Sequence, residues 1–278
     1  MKITNFGPIY FVVDSENALN WASAHKLETS GILYGPYCIR KAQTDEEKKS
    51  AWRLRFEIFN EELGEGIPEN KMIGMDVDEF DPHCDHLIIE IENKIVATIR
   101  LLQGSKRPQQ GFYSGTEFNL KNWNLDFSKS VEMGRVCIHA EHRRRTTLML
   151  LFWGLRNYVA LKEARYLFGL ASLIPMSNDD AEATFKAIEE NQQTNLSYNI
   201  EPLEKNAFKG DPSKGRPQIP QLVSMYVDFG AKVISRPAYD PVFGCHDLLI
   251  FFDLAHLTIR GMDLINKFSK RANTYGET

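Results

Sequence analysis

The sequence predicts an α/β fold built on a mixed sheet. Residues 86–92 and 94–102 are rich in β-branched side chains and form a predicted antiparallel hairpin. Further along, residues 130–138 predict a strand, residues 147–164 a long apolar helix, and residues 166–174 another strand. A strand, a helix and a strand in succession form the crossover that joins parallel neighbours. The sheet should therefore contain both antiparallel and parallel pairs.

The remaining elements follow from caps and periodicity. A first helix is expected over residues 44–64, with Thr44 as its N-cap and Gly64 at its end. A surface helix is expected over residues 179–191, a helix followed by a strand over residues 221–235, and a last strand over residues 245–254.

The expected domain organisation places one domain at residues 37–254, after an N-terminal extension of residues 1–36. Residues 192–220 are polar and rich in glycine and proline, which indicates a long insertion and suggests a lid over the amine pocket. Residues 255–271, within the tail 255–278, predict an amphipathic helix. It either docks on the domain or lies peripherally on the inner face of a membrane, where its basic side chains suit anionic lipids.

Composition excludes several classes of protein. The 278 residues are 43% hydrophobic and 25% charged, which is typical of a soluble globular protein. A net charge of -4 argues against a general nucleic-acid binder. The four cysteines match no zinc pattern and indicate reduced thiols in the cytoplasm. The apolar run at residues 9–13 is too short to span a bilayer. We therefore expect a cytoplasmic protein without a bound metal.

Charged side chains at apolar positions mark the candidate site. Arg55 and Phe59 are four residues apart in the first helix and share a face that is apolar enough to be buried. Arg100 lies in a strand otherwise filled with valine, isoleucine and alanine, and the loop at residues 75–81 supplies carboxylates, among them Asp78 and Asp81. Buried charges persist only when they are paired. We predict an ion-pair network that lines a cleft.

The strand at residues 130–138 carries Glu132 and Arg135 three positions apart, so in a regular strand they point to opposite faces. A β-bulge near Gly134 would return both side chains to one face and splay the strand. The strand then enters a basic turn at a helix start. Exposed backbone N–H groups there could bind pantetheine amides, while Arg143, Arg144 and Arg145 attract phosphate. The alternative for these arginines is a solvated helix start.

Several strings carry a resemblance to known families. LRFEIF, DEFD, TIR and EMGR resemble, in order and spacing, the signature of the acyl-homoserine-lactone synthases. FDPHCDHLII, IRLL, GFYSGTEFNL and EMGRVCIHAEHRR resemble still more closely the bacterial ornithine N-acyltransferases and N-acyl amino acid synthases. The likeness covers residues 37–173 well and residues 220–254 more loosely. It implies a GNAT-type fold with splayed central strands, helices on both faces of the sheet and a bulged fourth strand.

The resemblance also implies a chemistry. The donor is the acyl-phosphopantetheine of acyl carrier protein, no cofactor is bound, and the acceptor is the α-amine of an amino acid such as ornithine or glycine. The acyl group is a long-chain or 3-hydroxy fatty acid, and the product is a lyso-aminolipid. Glu132 becomes the candidate base; the residues implied in the amine and acyl pockets are Arg55, Phe59, Asp78, Asp81, His86, Arg100 and Arg135.

One departure from the fold's common pattern bears on the donor. Members that use acetyl-CoA carry a glycine-rich RxxGxG turn, whereas residues 143–148 read RRRTTL. A tight cradle for the CoA pyrophosphate is therefore not expected, which favours a carrier protein whose acidic surface meets the arginines.

The expected mechanism is direct attack of the amine on the thioester. Because an α-amino group is mostly protonated near neutral pH, Glu132 must accept its proton, and a water relay suits an acidic glutamate. A backbone N–H near Val136 or Cys137 would hold the oxyanion. Cys137 is a candidate catalytic residue as well, although a single buried thiol more often serves packing. A homoserine-lactone signal synthase and a non-catalytic carrier-protein-binding module remain alternatives.

Overall fold

The computed structural model describes residues 25–173 and 176–256, which fall into two compact units. The first unit holds residues 25–102 and 134–165; the second holds residues 103–133 and 166–256, apart from residues 174–175. Most of the predicted N-terminal extension and nearly all of the predicted tail helix lie outside the described residues. The boundary between the units passes through one strand, between Met133 and Gly134.

The strands of the first unit form an antiparallel meander. They are β1 (Ile32–Tyr34), β2 (Tyr37–Lys41), β3 (Asp85–Ile91) and β4 (Lys94–Gln103), followed in the strand order by β5 (Ser130–Ile138). The predicted hairpin is confirmed, with Leu87 opposite Ile99. Its turn is Glu92–Asn93 rather than Asn93–Lys94, and both residues have positive φ (51° and 63°). This conformation matches the twist of the two strands.

Helix α1 (Asp45–Phe56) begins where the sequence predicts. The Thr44 hydroxyl accepts from the Glu47 N–H, and the Glu47 carboxylate accepts from the Thr44 N–H, which is a capping box. Beyond Phe56 the helix continues with π-helical geometry over Glu57–Glu62. Gly64, with φ of 70°, then ends it in the left-handed region. Single π-helical turns are frequent at functional sites.

Helix α2 (Arg145–Leu161) is the buried helix that the sequence predicts. Trp153 and Tyr158 are nearly inaccessible to solvent. The helix packs closely on the first unit's sheet: a Cβ at Gly154 would lie 2.2 Å from Cδ1 of Ile39 in β2. Any larger residue at position 154 must therefore displace the Ile39 side chain.

The second unit supplies the parallel pairing of the predicted mixed sheet. Its elements are the first half of β5, β6 (Tyr166–Leu173), α3 (Asn178–Glu190), α4 (Gln221–Phe229), β7 (Lys232–Val233), β8 (Ala238–Asp240) and β9 (Cys245–Asp253). The parallel register of β5 and β6 runs from Ser130–Tyr166 to Met133–Gly169. Strand β9 is antiparallel to β6, β7 and β8. The fold class is confirmed.

The segment 192–220, predicted as an insertion, is fastened to the second unit along its length. Thr194 and Ile200 form isolated bridges to Val233 and Ser235. Near its C-terminal end the backbone touches α3, because a Cβ at Gly215 would lie 1.9 Å from the Asp179 carbonyl oxygen. The role of a lid over the amine stays a prediction.

Within the part of the chain that the structure describes, no helix combines the length and the apolar character that crossing a membrane requires.

Candidate active site

Strand β5 contains a left-handed residue at its centre. Arg135 has φ of 51°, directly after the point where the parallel register with β6 reaches Met133 and Gly169. The sequence predicted a β-bulge near Gly134, which would return Glu132 and Arg135 to one face. The left-handed residue is the adjacent Arg135, at a cost of about 1–2 kcal/mol that its surroundings must offset.

The first unit contains the predicted ion-pair network, and Arg55 is its centre. The Arg55 side chain has no exposed surface. Its Nε donates to Asp76 Oδ2 at 2.7 Å, and its Nη1 donates to Asp81 Oδ1 at 2.6 Å. A guanidinium is suited to two carboxylates at once because its donors lie in a rigid plane. Both aspartates belong to the acidic loop at residues 75–81, which the sequence predicted as the source of partners for Arg55.

Two further arginines extend the network. Arg100 Nη1 lies 2.6 Å from both carboxylate oxygens of Asp78 and 3.3 Å from Asp81 Oδ2. Arg135 Nε donates to Asp76 Oδ2 at 3.2 Å, and its Nη2 donates to Asp78 Oδ2 at 3.3 Å. Three arginines and three aspartates thus alternate, so each buried charge has an opposite neighbour. These contacts explain how Arg135 is held in the left-handed region.

Phe59 lies on the π-helical turn, and its ring centroid is 5.9 Å from Cζ of Arg135. A guanidinium at this distance from an aromatic ring is stabilised by a cation–π interaction. The predicted proximity of Phe59 to the network is therefore present, through Arg135.

The network is ionised at neutral pH. Burial alone would raise the pKa of Asp81, but the charges of Arg55 and Arg100 outweigh it and hold that pKa well below its usual range. Burial opposes ionisation of Asp76 too, and Arg55 with Arg135 lowers its pKa below the ordinary value. Arg55, Asp76 and Asp81 thus stay charged near neutral pH.

His86 lies beside the network in a neutral form. Burial lowers the pKa of its imidazole to about 3, although Asp81 works in the opposite direction. The indole N–H of Trp52 donates to His86 Nε2 at 3.4 Å, and Asp81 Oδ1 is 3.5 Å from the same nitrogen. With Nε2 accepting from Trp52, the ring proton belongs on Nδ1. The side chain of His86 is inaccessible to solvent. Its contact with the substrate stays a prediction.

The buried imidazole should make folding sensitive to mild acid. Its pKa in the folded chain is below the ordinary value, so it stabilises the fold fully above about pH 6.5, and this contribution is lost as the pH falls. In urea titrations between pH 7 and pH 5, the free energy of unfolding of the wild type should fall with the pH. In His86→Gln this slope should be smaller, by about 1.4 kcal/mol per pH unit. Burial also lowers the pKa of His246. His246 therefore adds a pH dependence of unfolding with the same sign, and this part remains in His86→Gln. An unchanged slope would contradict the neutral buried state.

Cys137 does not behave as a nucleophile in this environment. Its side chain packs against Leu54 and Ile58, and burial raises the pKa of the thiol to about 12. Because the thiolate is the reactive form, its population is negligible at neutral pH. This environment suits the packing role that the sequence favoured for a single buried thiol, and a catalytic role of Cys137 stays a prediction.

Cys137→Ala should keep most of the enzymatic rate and lower the free energy of unfolding by about 1 kcal/mol, because a small buried group is lost. Steady-state rates and urea unfolding of the same preparation measure both effects. Near-total loss of rate in a folded variant would restore the thiol to the mechanism.

The three arginines of the basic turn differ in their surroundings. Arg143 forms a bidentate ion pair with Glu62, and its Nε donates to the Ile138 carbonyl at 2.9 Å. Arg144 is the N-cap residue of α2 and Arg145 its first residue, and both are exposed. For phosphate binding, Arg143 must exchange a carboxylate partner, whereas the other two arginines present exposed side chains. Val136 lies half-buried in β5.

In the second unit, three donors hold the carboxylate of Glu132. The backbone N–H groups of Tyr113 and Ser114 donate to Oε2 and Oε1 at 2.9 Å and 2.7 Å, and the Ser114 hydroxyl donates to Oε1 at 2.5 Å. Both amides belong to the first residues of a 3-10 turn, Tyr113–Thr116, where N–H groups have no partner within the turn. Donors aimed at a carboxylate favour its charged form.

Sequence analysis identified Glu132 and missed Tyr113 and Ser114 as its partners. The string GFYSGTEF was noted only for its family resemblance, because no spacing rule links residues 18 or 19 positions apart. A serine at the start of a short turn in a polar connection is the signal that could have indicated a carboxylate clamp.

Comparisons with known proteins agree with this architecture. Residues 54–153 match the model of the Acetyltransferase (GNAT) domain. The L-ornithine N(alpha)-acyltransferase of Rhodobacter capsulatus is 35% identical over 148 residues, which are 49% of this chain and 56% of that relative. This chain thus matches about half of that relative's length. The enzyme of the same name from Brucella abortus is 25% identical, over 85% of this chain and 90% of its own.

Solved structures show the same fold at low sequence identity. An N-acyl amino acid synthase from uncultured soil microbes has a TM-score of 0.50 and 12% identity, over 78% of this chain and 92% of that chain. A CoA-dependent acyl-homoserine lactone synthase has a TM-score of 0.50 and 11% identity, over 84% and 95%. The chain thus matches a GNAT domain model over residues 54–153 and is similar in sequence to the L-ornithine N(alpha)-acyltransferases, as its motifs predicted.

Proposed function

We propose that the protein is an N-acyltransferase that moves a long-chain or 3-hydroxy fatty acyl group from a carrier thioester to the α-amine of an amino acid. The observation that carries the proposal is the buried Glu132, held as a carboxylate by two backbone amides and a hydroxyl. Ornithine is the preferred acceptor, because the curated relatives are named for it. The product is an N-acyl amino acid.

The chemistry needs one proton acceptor and no covalent acyl-enzyme. The amine nitrogen forms a bond to the thioester carbonyl carbon, and a proton leaves the nitrogen through a water to Glu132. When the tetrahedral intermediate collapses, the C–S bond breaks and the thiolate takes up a proton. A clamped carboxylate is a weak base, which is why a water relay suits it. A backbone N–H near Val136 is the proposed donor to the oxyanion.

The arginine–aspartate network supplies the charged framework for the acceptor. Of its members Asp78 has some exposure, at 10% of its side chain, next to Arg100 at 5%. As the resemblance implies, we assign Asp78 and Arg100 to the acceptor pocket, with Arg55 and Asp81 fixing both from behind. A framework of paired charges does not reorganise when the substrate arrives.

The donor in this proposal is acyl carrier protein, for the reason that RRRTTL replaces a glycine-rich turn before α2. Exposed Arg144 and Arg145 suit the acidic surface of a carrier protein and would raise its association rate. Acyl-CoA is the competing donor, since one structural relative is a CoA-dependent synthase.

One assay tests acceptor and donor together. The purified chain is incubated with a long-chain acyl carrier protein thioester, or with the matching acyl-CoA, and with ornithine, glycine or S-adenosylmethionine. Mass spectrometry should detect N-acylornithine, formed faster from the carrier protein, and formed about 10²–10⁴ times more slowly by Glu132→Gln. A lactone product from S-adenosylmethionine would favour a signal synthase. The absence of any amide from the wild-type chain would favour a non-catalytic carrier-binding module.

A further inference from the structure

We propose that His139, Glu141 and His142, with Glu57, form a binding site for a zinc ion in the first unit. One ligand atom from each of the first three residues lies within 4.8 Å of the others. Bonds of about 2.0–2.2 Å from zinc to imidazole nitrogen or carboxylate oxygen require such a grouping. The sequence was expected to bind no metal, because its four cysteines match no zinc pattern.

The local backbone builds this cluster from a short sequence. His139 is the N-cap of the 3-10 turn Ala140–His142, and the His142 N–H donates to the His139 carbonyl at 2.8 Å. In 3-10 geometry, side chains three residues apart lie above one another. The two imidazole rings accordingly have centroids 5.9 Å apart. A small rotamer change is enough to direct one nitrogen of each ring at a common ion.

Neighbouring groups orient both rings. Nδ1 of His142 lies 3.4 Å from the Tyr37 hydroxyl oxygen, so a proton on Nδ1 can be donated to Tyr37 and Nε2 is left as the ligand. Metal-bound histidines commonly donate their second nitrogen to such a partner. Nε2 of His139 lies 3.2 Å from Glu57 Oε1, which brings a second carboxylate to the site from the π-helical turn.

The donor set and its access favour zinc. Two imidazoles with carboxylates suit zinc, whereas calcium and magnesium prefer oxygen ligands alone. His139 and Glu57 also line an open cavity of about 490 Å³, through which a hydrated ion can arrive. Arg143 already pairs with Glu62, so its charge is largely compensated. A bound ion would tie the end of the first helix to the turn that precedes α2.

The test is zinc binding to the tag-free chain after treatment with a chelator and dialysis. Isothermal titration with zinc chloride should give one ion per chain, and His139→Ala or His142→Ala should abolish this stoichiometric binding. His256→Ala is the matched control, because His256 is an exposed histidine beside a single carboxylate, Asp253. Its binding should equal that of the wild type. No saturable binding, or binding that survives both cluster variants, overturns the site.

A conservative variant tests the assigned geometry. Tyr37→Phe removes the oxygen that orients His142 and should weaken zinc binding by about tenfold, as the loss of an outer partner typically does. Unchanged affinity would overturn the assigned ligand nitrogen. Neither readout depends on acyl transfer, so failure here leaves the proposed function untouched.

Discussion

Glu132→Gln is expected to lower kcat/KM for amide formation by about 10²–10⁴, the usual contribution of a positioned general base. Glutamine has the same shape as glutamate, and its carbonyl oxygen can still accept from Ser114. It cannot accept the amine proton. The loss should therefore appear in the rate, while carrier-protein binding stays close to that of the wild type. The free energy of unfolding should fall by about 1–3 kcal/mol, because the glutamine NH2 group faces the Tyr113 N–H. A stopped assay with mass detection covers the required range.

Ser114→Ala is the companion variant, because it keeps the base and removes one of its three donors. A hydrogen bond to a charged group contributes about 1.5–3 kcal/mol, so a rate loss of roughly 10–100-fold is expected. Cys137→Ala serves as the matched control, since it changes the same strand without touching the clamp. If Glu132→Gln stays within a factor of about ten of the wild-type rate, proton acceptance must lie elsewhere.

Local signals explain why much of the fold could be predicted. The N-cap signal of Thr44 and the β-branched runs of residues 86–102 act over a few residues, and both elements lie where they were expected. Apolar character alone identified α2, because a helix that is apolar on most faces must be buried. The short strand β8 was missed, since three residues carry too little periodicity to be recognised.

The site was predictable as a set of charges but not as a geometry. A buried arginine demands carboxylates, so Arg55 predicted a network in the acidic loop. The exact partners could not be predicted, because Arg55 and Asp81 are 26 positions apart and Arg135 and Asp76 are 59 apart. The left-handed conformation of Arg135 could not be predicted for the same reason. Local sterics favour glycine at such a position, whereas Arg135 is held there by ion pairs with aspartates that are distant in the sequence.

Charge patterns in the basic turn were the least informative. RRR indicates a phosphate site only if each arginine is available. Glu62, 81 positions before Arg143, engages the first of them. The positive charge of this turn is thus partly neutralised by Glu62, which lies in the π-helical segment that follows α1. Arg144 and Arg145 keep the exposure that a carrier protein requires.

Arg55→Ala should be the most destabilising of the substitutions considered, with a loss of about 3–5 kcal/mol in the free energy of unfolding. Asp76 and Asp81 would keep their burial and lose their nearest compensating charge. The free energy of unfolding of Arg55→Lys should lie between those of Arg55→Ala and the wild type, because an ammonium group cannot bind both carboxylates in one plane. Urea unfolding at pH 7 measures the series. Lys48→Ala, in an exposed pair on the same helix, should cost less than about 1 kcal/mol.

The pH dependence of this loss separates electrostatics from packing. Arg55 holds the pKa of Asp76 and Asp81 below the ordinary value, so its stabilisation is complete well above pH 4 and is lost as the pH falls. The difference between the wild type and Arg55→Ala should therefore shrink as the pH is lowered from 7 towards 3. A difference that stays constant would assign the effect to lost volume instead. A loss no larger than that of Lys48→Ala would mean that the network's charges do not hold the first unit together.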